Sequence, residues 1–314
     1  MLRTVRFVEN VIDTIRDKCG LDRSIPVDPS LSQQLLADLR RFAGESARCG
    51  DFWGEICQSL LHCAETGNPA SFMRWPPIAR TMVPRTGRYT IAAYRALRSS
   101  AHWTDRWEPI LHRPTIGRPP ACLPDLRTDN LTVQHASHLH AFRKLCGVEW
   151  YDADCIVEFG AGFGSMCRTV HQLGFRGRYI IFDLPPITAL QRFYLAAHGI
   201  QADYAPGRSV QLCHRLEDVA AVMPPSADRL SAISTWALSE MPLALRADIE
   251  VMLERCGRIL LAYQAEFEGN DNARYFDSLG HRLARSFDLH VAEIDGHAGN
   301  RYMFGLAKAH RPLA

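Results

Sequence analysis

The sequence predicts an α/β protein, an open parallel sheet covered by helices on both faces and preceded by a mainly helical segment. Three observations predict it. From residue 155 onward, short apolar runs alternate with stretches of helical period, and such alternation turns each helix into a crossover between parallel strands. The run Cys155-Ile156-Val157-Glu158-Phe159-Gly160-Ala161-Gly162-Phe163-Gly164-Ser165 ends an apolar strand in a glycine-rich turn ahead of a helix. The first 130 residues, by contrast, carry helix signals and few strand signals.

Composition bounds the function classes. With 314 residues, 47% hydrophobic and 22% charged, the chain has globular composition and length for about two domains. We place them at 1–130, a helical cap, lid or dimerisation domain, and 131–314, a nucleotide-binding domain. A formal charge of +2 is too small for a nucleic-acid footprint. The arginines between Arg74 and Arg98 form the densest basic region and read as a solvated face. Ten cysteines occur without a C-x-x-C spacing. Cys155, Cys213 and Cys256 lie inside apolar patterns, as reduced core thiols of a cytoplasmic protein do. Residues 1–20 carry Glu9, Asp13 and Asp17 and so lack the apolar core of a signal peptide. No stretch has the length of a membrane span.

Each element has its own signal. Val5, Val8, Val11, Ile12 and Ile15 recur at helical spacing. Asp28-Pro29 reads as an N-cap with proline at the first helical position, opening a helix to about Phe42. Further helices are expected over Phe52–Thr66, stopped by Gly67-Asn68-Pro69, and over Tyr89–Ser99. From His112 to Pro124, four prolines and Gly117 break regular structure, giving an irregular connector. Asn130–Cys146 forms a helix with Leu131, His135, His138, Phe142 and Leu145 on one face and His140 on another. After the strand at 155–159 come a helix Ser165–Leu173, a strand Arg178–Asp183, a helix Pro185–Ala197 and strands at Ser209–Cys213 and Leu230–Thr235. A helix Pro242–Arg255, a strand Arg258–Tyr263 and a helix Asn272–Phe287 follow. Strands at His290–Ile294 and Arg301–Leu306, joined by the loop 295–300, close the chain.

The glycine turn reads as a nucleotide cradle, since glycines let the main chain approach a ligand before a helix begins. Dinucleotide folds want G-x-G-x-x-G or A, and Ser165 fits that third place poorly. Asp183, ending the second strand, is a carboxylate able to accept both ribose hydroxyl protons, which dinucleotide enzymes also use. The pattern Glu158-x-Gly160-x-Gly162-x-Gly164 resembles the first motif of S-adenosylmethionine-dependent class I methyltransferases. The resemblance implies a Rossmann-like seven-stranded methyltransferase sheet with a reversed last strand and S-adenosyl-L-methionine as cofactor. It implies that Glu158 organises the site around the methionine ammonium. Over about Cys155–Asn272, Asp183-Leu184-Pro185-Pro186, Leu190-Gln191-Arg192-Phe193-Tyr194-Leu195 and Ser239-Glu240-Met241 resemble a family of sugar O-methyltransferases. Phe163, inside the glycine turn, departs from the commoner tyrosine or small residue.

In an open parallel sheet, ligands bind beyond the carboxyl ends of the strands where strand order reverses. The expected cofactor residues are therefore Glu158, Phe159, Gly160, Gly162 and Gly164 after the first strand and Asp183 and Leu184 after the second. The resemblance implies methionine and ribose at the first two loops and adenine beside the third, where Leu216 offers an apolar face, with Thr235 expected at the end of the fourth. Methyl transfer to an alcohol requires in-line alignment and a base for the hydroxyl proton. Glu240 is the first candidate base, with a first-turn carboxylate of the helix beginning at Pro242 as its alternative role, and His138 is the second. Trp236 and Gln264 are candidate substrate contacts, the indole alternatively serving as core packing. His297 reads as an exposed turn residue. No metal site is expected, because His135 and His138 stand at i, i+3 with no carboxylate on their face. The expected partner is a small-molecule acceptor, with no nucleic acid or membrane and with a homodimer interface among the roles open to the N-terminal helices. The competing functions are a methyltransferase on a non-sugar hydroxyl or carboxylate, a non-catalytic S-adenosylmethionine-binding interaction module and an NAD-dependent oxidoreductase.

Overall fold

Five-residue apolar segments such as Cys155–Phe159 bury both of their faces, as strands in the middle of a parallel sheet must. In the computed structural model, which describes residues 2–19, 26–48, 51–225 and 227–308, they do so in an eight-stranded sheet. The strands are β1 (Cys155–Phe159), β2 (Arg178–Phe182), β3 (Ala202–Asp203), β4 (Val210–Cys213), β5 (Ala227–Thr235), β6 (Cys256–Gln264), β9 (Phe287–Glu293) and β10 (Asn300–Ala307). A separate hairpin pairs β7 (Glu266–Phe267) with β8 (Asn270–Asp271). The sheet order is β3-β4-β2-β1-β5-β6-β10-β9. β4, β2, β1, β5 and β6 run parallel, and β10 is antiparallel to both β6 and β9. The α/β fold is as the alternation predicts, and β10 is the reversed strand. The eighth strand is the two-residue edge strand β3, too short to leave a period in the sequence.

By proximity along the chain's fold, two compact units interleave in sequence. The first comprises Met1–Ser137, Gly162–Leu173 and Leu184–Ala202, and the second His138–Ala161, Gly174–Asp183 and Asp203–Ala314. The segment 1–130 lies wholly in the first unit, which also takes in helices that follow β1 and β2 in sequence.

In the first unit, helices α1 (Leu2–Lys18), α2 (Pro29–Phe42), α3 (Asp51–Thr66), α4 (Pro76–Thr81), α5 (Arg88–Arg98) and α6 (Glu108–Leu111) precede α7 (Asn130–Cys146). Asp28 caps α2 as expected, its side chain accepting from the Ser30 N–H. α1 forms where predicted but faces the other way. Phe7 (68% exposed), Val8, Val11 and Ile15 point to solvent, while Glu9 is buried and accepts from the Thr86 N–H, and Asp13 accepts from the Ala121 N–H. Two irregular backbone segments needed acceptors, and the polar side of the helix supplies them. α8 (Ser165–Gln172) and α9 (Pro185–Ala197) also belong to this unit, and Asp38 of α2 pairs with Arg192 of α9 at 3.1 Å.

The second unit carries the sheet and one continuous core. Alternate residues Cys155, Val157 and Phe159 of β1, Ile180 and Phe182 of β2, Leu230 and Ala232 of β5, and Ile259 and Leu261 of β6 line one face. They pack with Val219 of α10 (Leu216–Val222), Ile249 and Leu253 of α12 (Leu243–Leu253), and Phe276, Leu279 and Leu283 of α13 (Asn272–Leu283). The four-residue helix α11 (Ala237–Glu240) follows β5 directly. The α7 helix departs from its predicted one-sided burial, since residues 132–139 are all buried while Leu145 is exposed. The nine cysteines described are all free thiols, and most are buried. No helix among the described residues is long and apolar enough to cross a membrane.

Candidate functional site

Strand order reverses beside β1, because β2 follows on one side and β5, later in the chain, lies on the other. The carboxyl ends of β1, β2 and β5 are therefore where a crevice is expected. Gly160 extends the ladder past β1, its N–H donating to Phe182 O at 2.8 Å, and the Asp183 N–H donates to Cys213 O at 3.1 Å. This sets Gly160 and Asp183 side by side at the strand ends, with the Asp183 carboxylate partly exposed.

Gly160 is demanded twice. Its φ of +75° is left-handed, and a Cβ there would lie 2.0 Å from the Ala237 Cβ and 3.6 Å from the Met241 methyl. The glycine thus lets α11 rest on the turn. Gly162 and Gly164 also have positive φ, and Gly164 is the N-cap of α8. Both lie in the segment grouped with the first unit, as does Leu184, the N-cap of α9.

Glu158 is buried to 1% exposure, and the Tyr179 hydroxyl donates to its Oε2 at 2.7 Å. Burial pushes its carboxyl up to about 8, against the pull of the Tyr179 hydrogen bond, with the charge of Asp183 adding to the rise. At neutral pH this favours its protonated form. The Phe159 side chain is committed to the core, with its ring 6.3 Å from Phe182, and its carbonyl accepts from the Ser234 hydroxyl. Only its main chain remains on the turn. Thr235 is buried at the end of β5, and Leu216, the first residue of α10, is half-buried against the core.

The turn after β5 reverses through Trp236, whose φ of +70° and ψ of −42° are rare for any residue with a side chain. The Trp236 N–H donates to Ala262 O at 2.6 Å, which pins the reversal to β6. Its indole lies 5.8 Å from the His138 ring and 5.3 Å from the His297 ring. His138 is fully buried, with Nδ1 at 2.9 Å from the Tyr302 hydroxyl on β10. His297 corrects its sequence assignment. It is half-buried against Trp236, burial lowers its pKa, and its Nδ1 sits 2.8 Å from the Asn300 amide nitrogen. The loop 295–300 folds back because Asn300 is itself buried at the start of β10.

Glu240 ends α11, and its Oε1 accepts from Gln264 Nε2 at 3.2 Å. It is not a first-turn carboxylate of the next helix, which begins at Leu243 with Pro242 as N-cap. Two predicted site residues, Glu240 and Gln264, are thus hydrogen-bonded, and two others, His138 and Trp236, are ring neighbours. Tyr179, Tyr302 and His297 join these residues. The first two are strand residues without a motif, and only the fold brings them to these neighbours. His135, in the first unit, is driven down to about 4 by burial. No group of three or more His, Cys, Asp or Glu side chains able to hold a metal occurs among the described residues.

No protein-family profile and no curated protein matches this chain. Solved structures similar to it include an O-methyltransferase family protein from Burkholderia thailandensis, at 12% identity over 56% of this chain and 60% of that one, with a TM-score of 0.38. The pyocyanin biosynthetic protein PhzM matches at 13% identity over 87% of this chain and 72% of its own, with a TM-score of 0.36. EvdMO1 matches at 17% identity over 56% of this chain and 41% of its own, with a TM-score of 0.40.

Proposed function

We propose that the protein is an S-adenosylmethionine-dependent O-methyltransferase acting on a small-molecule hydroxyl, with a sugar or glycosylated metabolite as the first acceptor class to try. The observation that carries the reading is the pair Gly160 and Asp183, side by side at the carboxyl ends of adjacent central strands beside the reversal of strand order. A glycine turn at one strand end and a partly exposed aspartate one strand away suit a nucleoside with a free ribose. The cofactor, when bound, supplies a sulfonium methyl and a thioether leaving group.

The chain's own residues supply the rest. Asp183 accepts hydrogen bonds from the ribose hydroxyls. Glu158, protonated while the site lacks a cation, becomes an anion when an ammonium is brought near, since an opposite charge favours the ionised form. Glu240 takes the acceptor's hydroxyl proton, and the Gln264 amide holds its carboxylate by donating to Oε1. Trp236 offers an indole face to a ring-shaped acceptor. His138, held by Tyr302, is the second candidate for the proton.

The test is isothermal titration calorimetry with S-adenosylmethionine, S-adenosylhomocysteine and NAD in parallel. The first two should bind and NAD should not, and binding of NAD alone overturns the reading. Asp183→Ala should weaken S-adenosylhomocysteine binding by about tenfold to a hundredfold, the loss of hydrogen bonds to a charged group. Unchanged affinity removes Asp183 from the site.

A further inference from the structure

Helix α11 has four residues, too few to hold its own shape, and its backbone is tied at both ends by side chains. At its start, the Ser234 hydroxyl accepts from the Leu238 N–H at 3.1 Å. At its end, the Arg246 guanidinium of α12 donates from Nη2 to Ser239 O at 2.8 Å and from Nε to Met241 O at 2.7 Å. The third nitrogen, Nη1, donates to Asn272 Oδ1 at 2.7 Å, and Asn272 Nδ2 returns to Ser239 O at 3.0 Å. The guanidinium lies 4.7 Å from the Tyr275 ring centroid.

Arg246 is 1% exposed, and among the described residues its hydrogen-bond acceptors are all neutral oxygens. A buried cation without a carboxylate is an expensive way to join two helices, and an apolar side chain would do that more cheaply. What the guanidinium does that an apolar group cannot is hold two carbonyls at the end of α11 in a fixed fork. The segment so held is the one resting on Gly160. Ala237 occupies the space a Gly160 Cβ would need, and the same four residues end in Glu240.

We propose that Arg246, with Asn272, is a positioning residue that clamps α11 onto the glycine turn and so sets where Glu240 and Met241 stand over the cofactor cradle. The clamp itself rests on geometry within the second unit, and its consequence for ligand binding rests on the function proposed above. A loosened α11 would leave Ala237 and Met241 free to lift from Gly160. The cradle would then lose one wall while the sheet beneath it stayed intact.

The test uses S-adenosylhomocysteine as probe and backbone hydrogen exchange as a second readout. In Arg246→Met, exchange should rise about tenfold or more at the amides of Leu238, Ser239 and Met241 and stay unchanged in β1 and β6, because only local opening becomes easier. S-adenosylhomocysteine should bind about tenfold more weakly, and Arg246→Lys, which keeps a donor and the charge, should recover part of that loss. If Arg246→Met does not fold, Asn272→Ala carries the test, with about threefold faster exchange confined to the same amides. Faster exchange spread evenly over β1, β5 and β6 would overturn the positioning role, as would unchanged protection of α11. If the wild type binds no S-adenosylhomocysteine while Arg246→Met still opens α11 selectively, the cofactor reading fails and the clamp stands.

Discussion

The turns after β1 and β5 leave adjacent strands of one sheet, and both reverse the chain with a residue at positive φ, Gly160 at +75° and Trp236 at +70°. The first uses the residue that adopts this backbone without penalty, and the second uses one of the largest side chains. Gly160 is needed for what it lacks, since any side chain would displace α11. Trp236 is needed for what it carries, an indole set between two imidazoles. Where the backbone must be unusual and empty, composition says so. Where it must be unusual and filled, the surrounding contacts hold it: the Ala262 carbonyl, the rings of His138 and His297, and the Arg246 clamp a few residues on.

The comparison breaks most visibly at Gly160. Gly160→Ala should destabilise the fold by about 3 kcal/mol, the sum of a left-handed penalty and overpacking against Ala237. Urea denaturation measures it, and a change under about 0.5 kcal/mol would mean that α11 does not need the space. Next in size is Glu240→Gln at the second turn. Turnover should fall about a hundredfold while S-adenosylhomocysteine affinity holds, and wild-type turnover would pass the role of base to His138.

A smaller effect isolates the strain at Trp236. Trp236→Gly and Trp236→Ala both lose the indole, so their difference reports the backbone alone. The glycine variant should be the more stable by about 1–2 kcal/mol, and equal stability would mean that the loop relaxes once the ring is gone. A pH-dependent signal concerns Glu158, beneath the first turn. Its folded-state pKa, about 8, lies above its unfolded value, so the folded protein binds the extra proton between these limits. The stability this contributes is full below about pH 4.5 and is lost as pH rises through about 8. Thermal melts of Glu158→Gln should therefore flatten the decline between pH 6 and 8.5 seen in the wild type, and parallel curves for the two proteins would show that Glu158 is ionised throughout.

Much of this was legible in the chain. The alternation after residue 155 announces the parallel sheet, Asp28-Pro29 announces a capped helix, and the glycine turn announces its own backbone, because in each case the cause is local. The exposed apolar side of α1 was not legible, since period tells which residues share a face and not which face meets the protein. His297 was misread for a similar reason. A loop between two strands is ordinarily exposed, and here a buried Asn300 and the Trp236 ring draw it inward.

The sequence by itself determined the order of elements, the place of the glycine turn and the candidates Glu158, Asp183 and Glu240, because strand period, glycine spacing and carboxylates at strand ends are properties of neighbours along the chain. Only the tertiary structure decided that Glu158 is buried under a tyrosine, that Trp236 reverses a strand at a backbone angle its type disfavours, and that Arg246 holds α11 to the glycine turn. Each of these joins residues separated by a strand or more, and the free energy that sustains it comes from packing that no local pattern records.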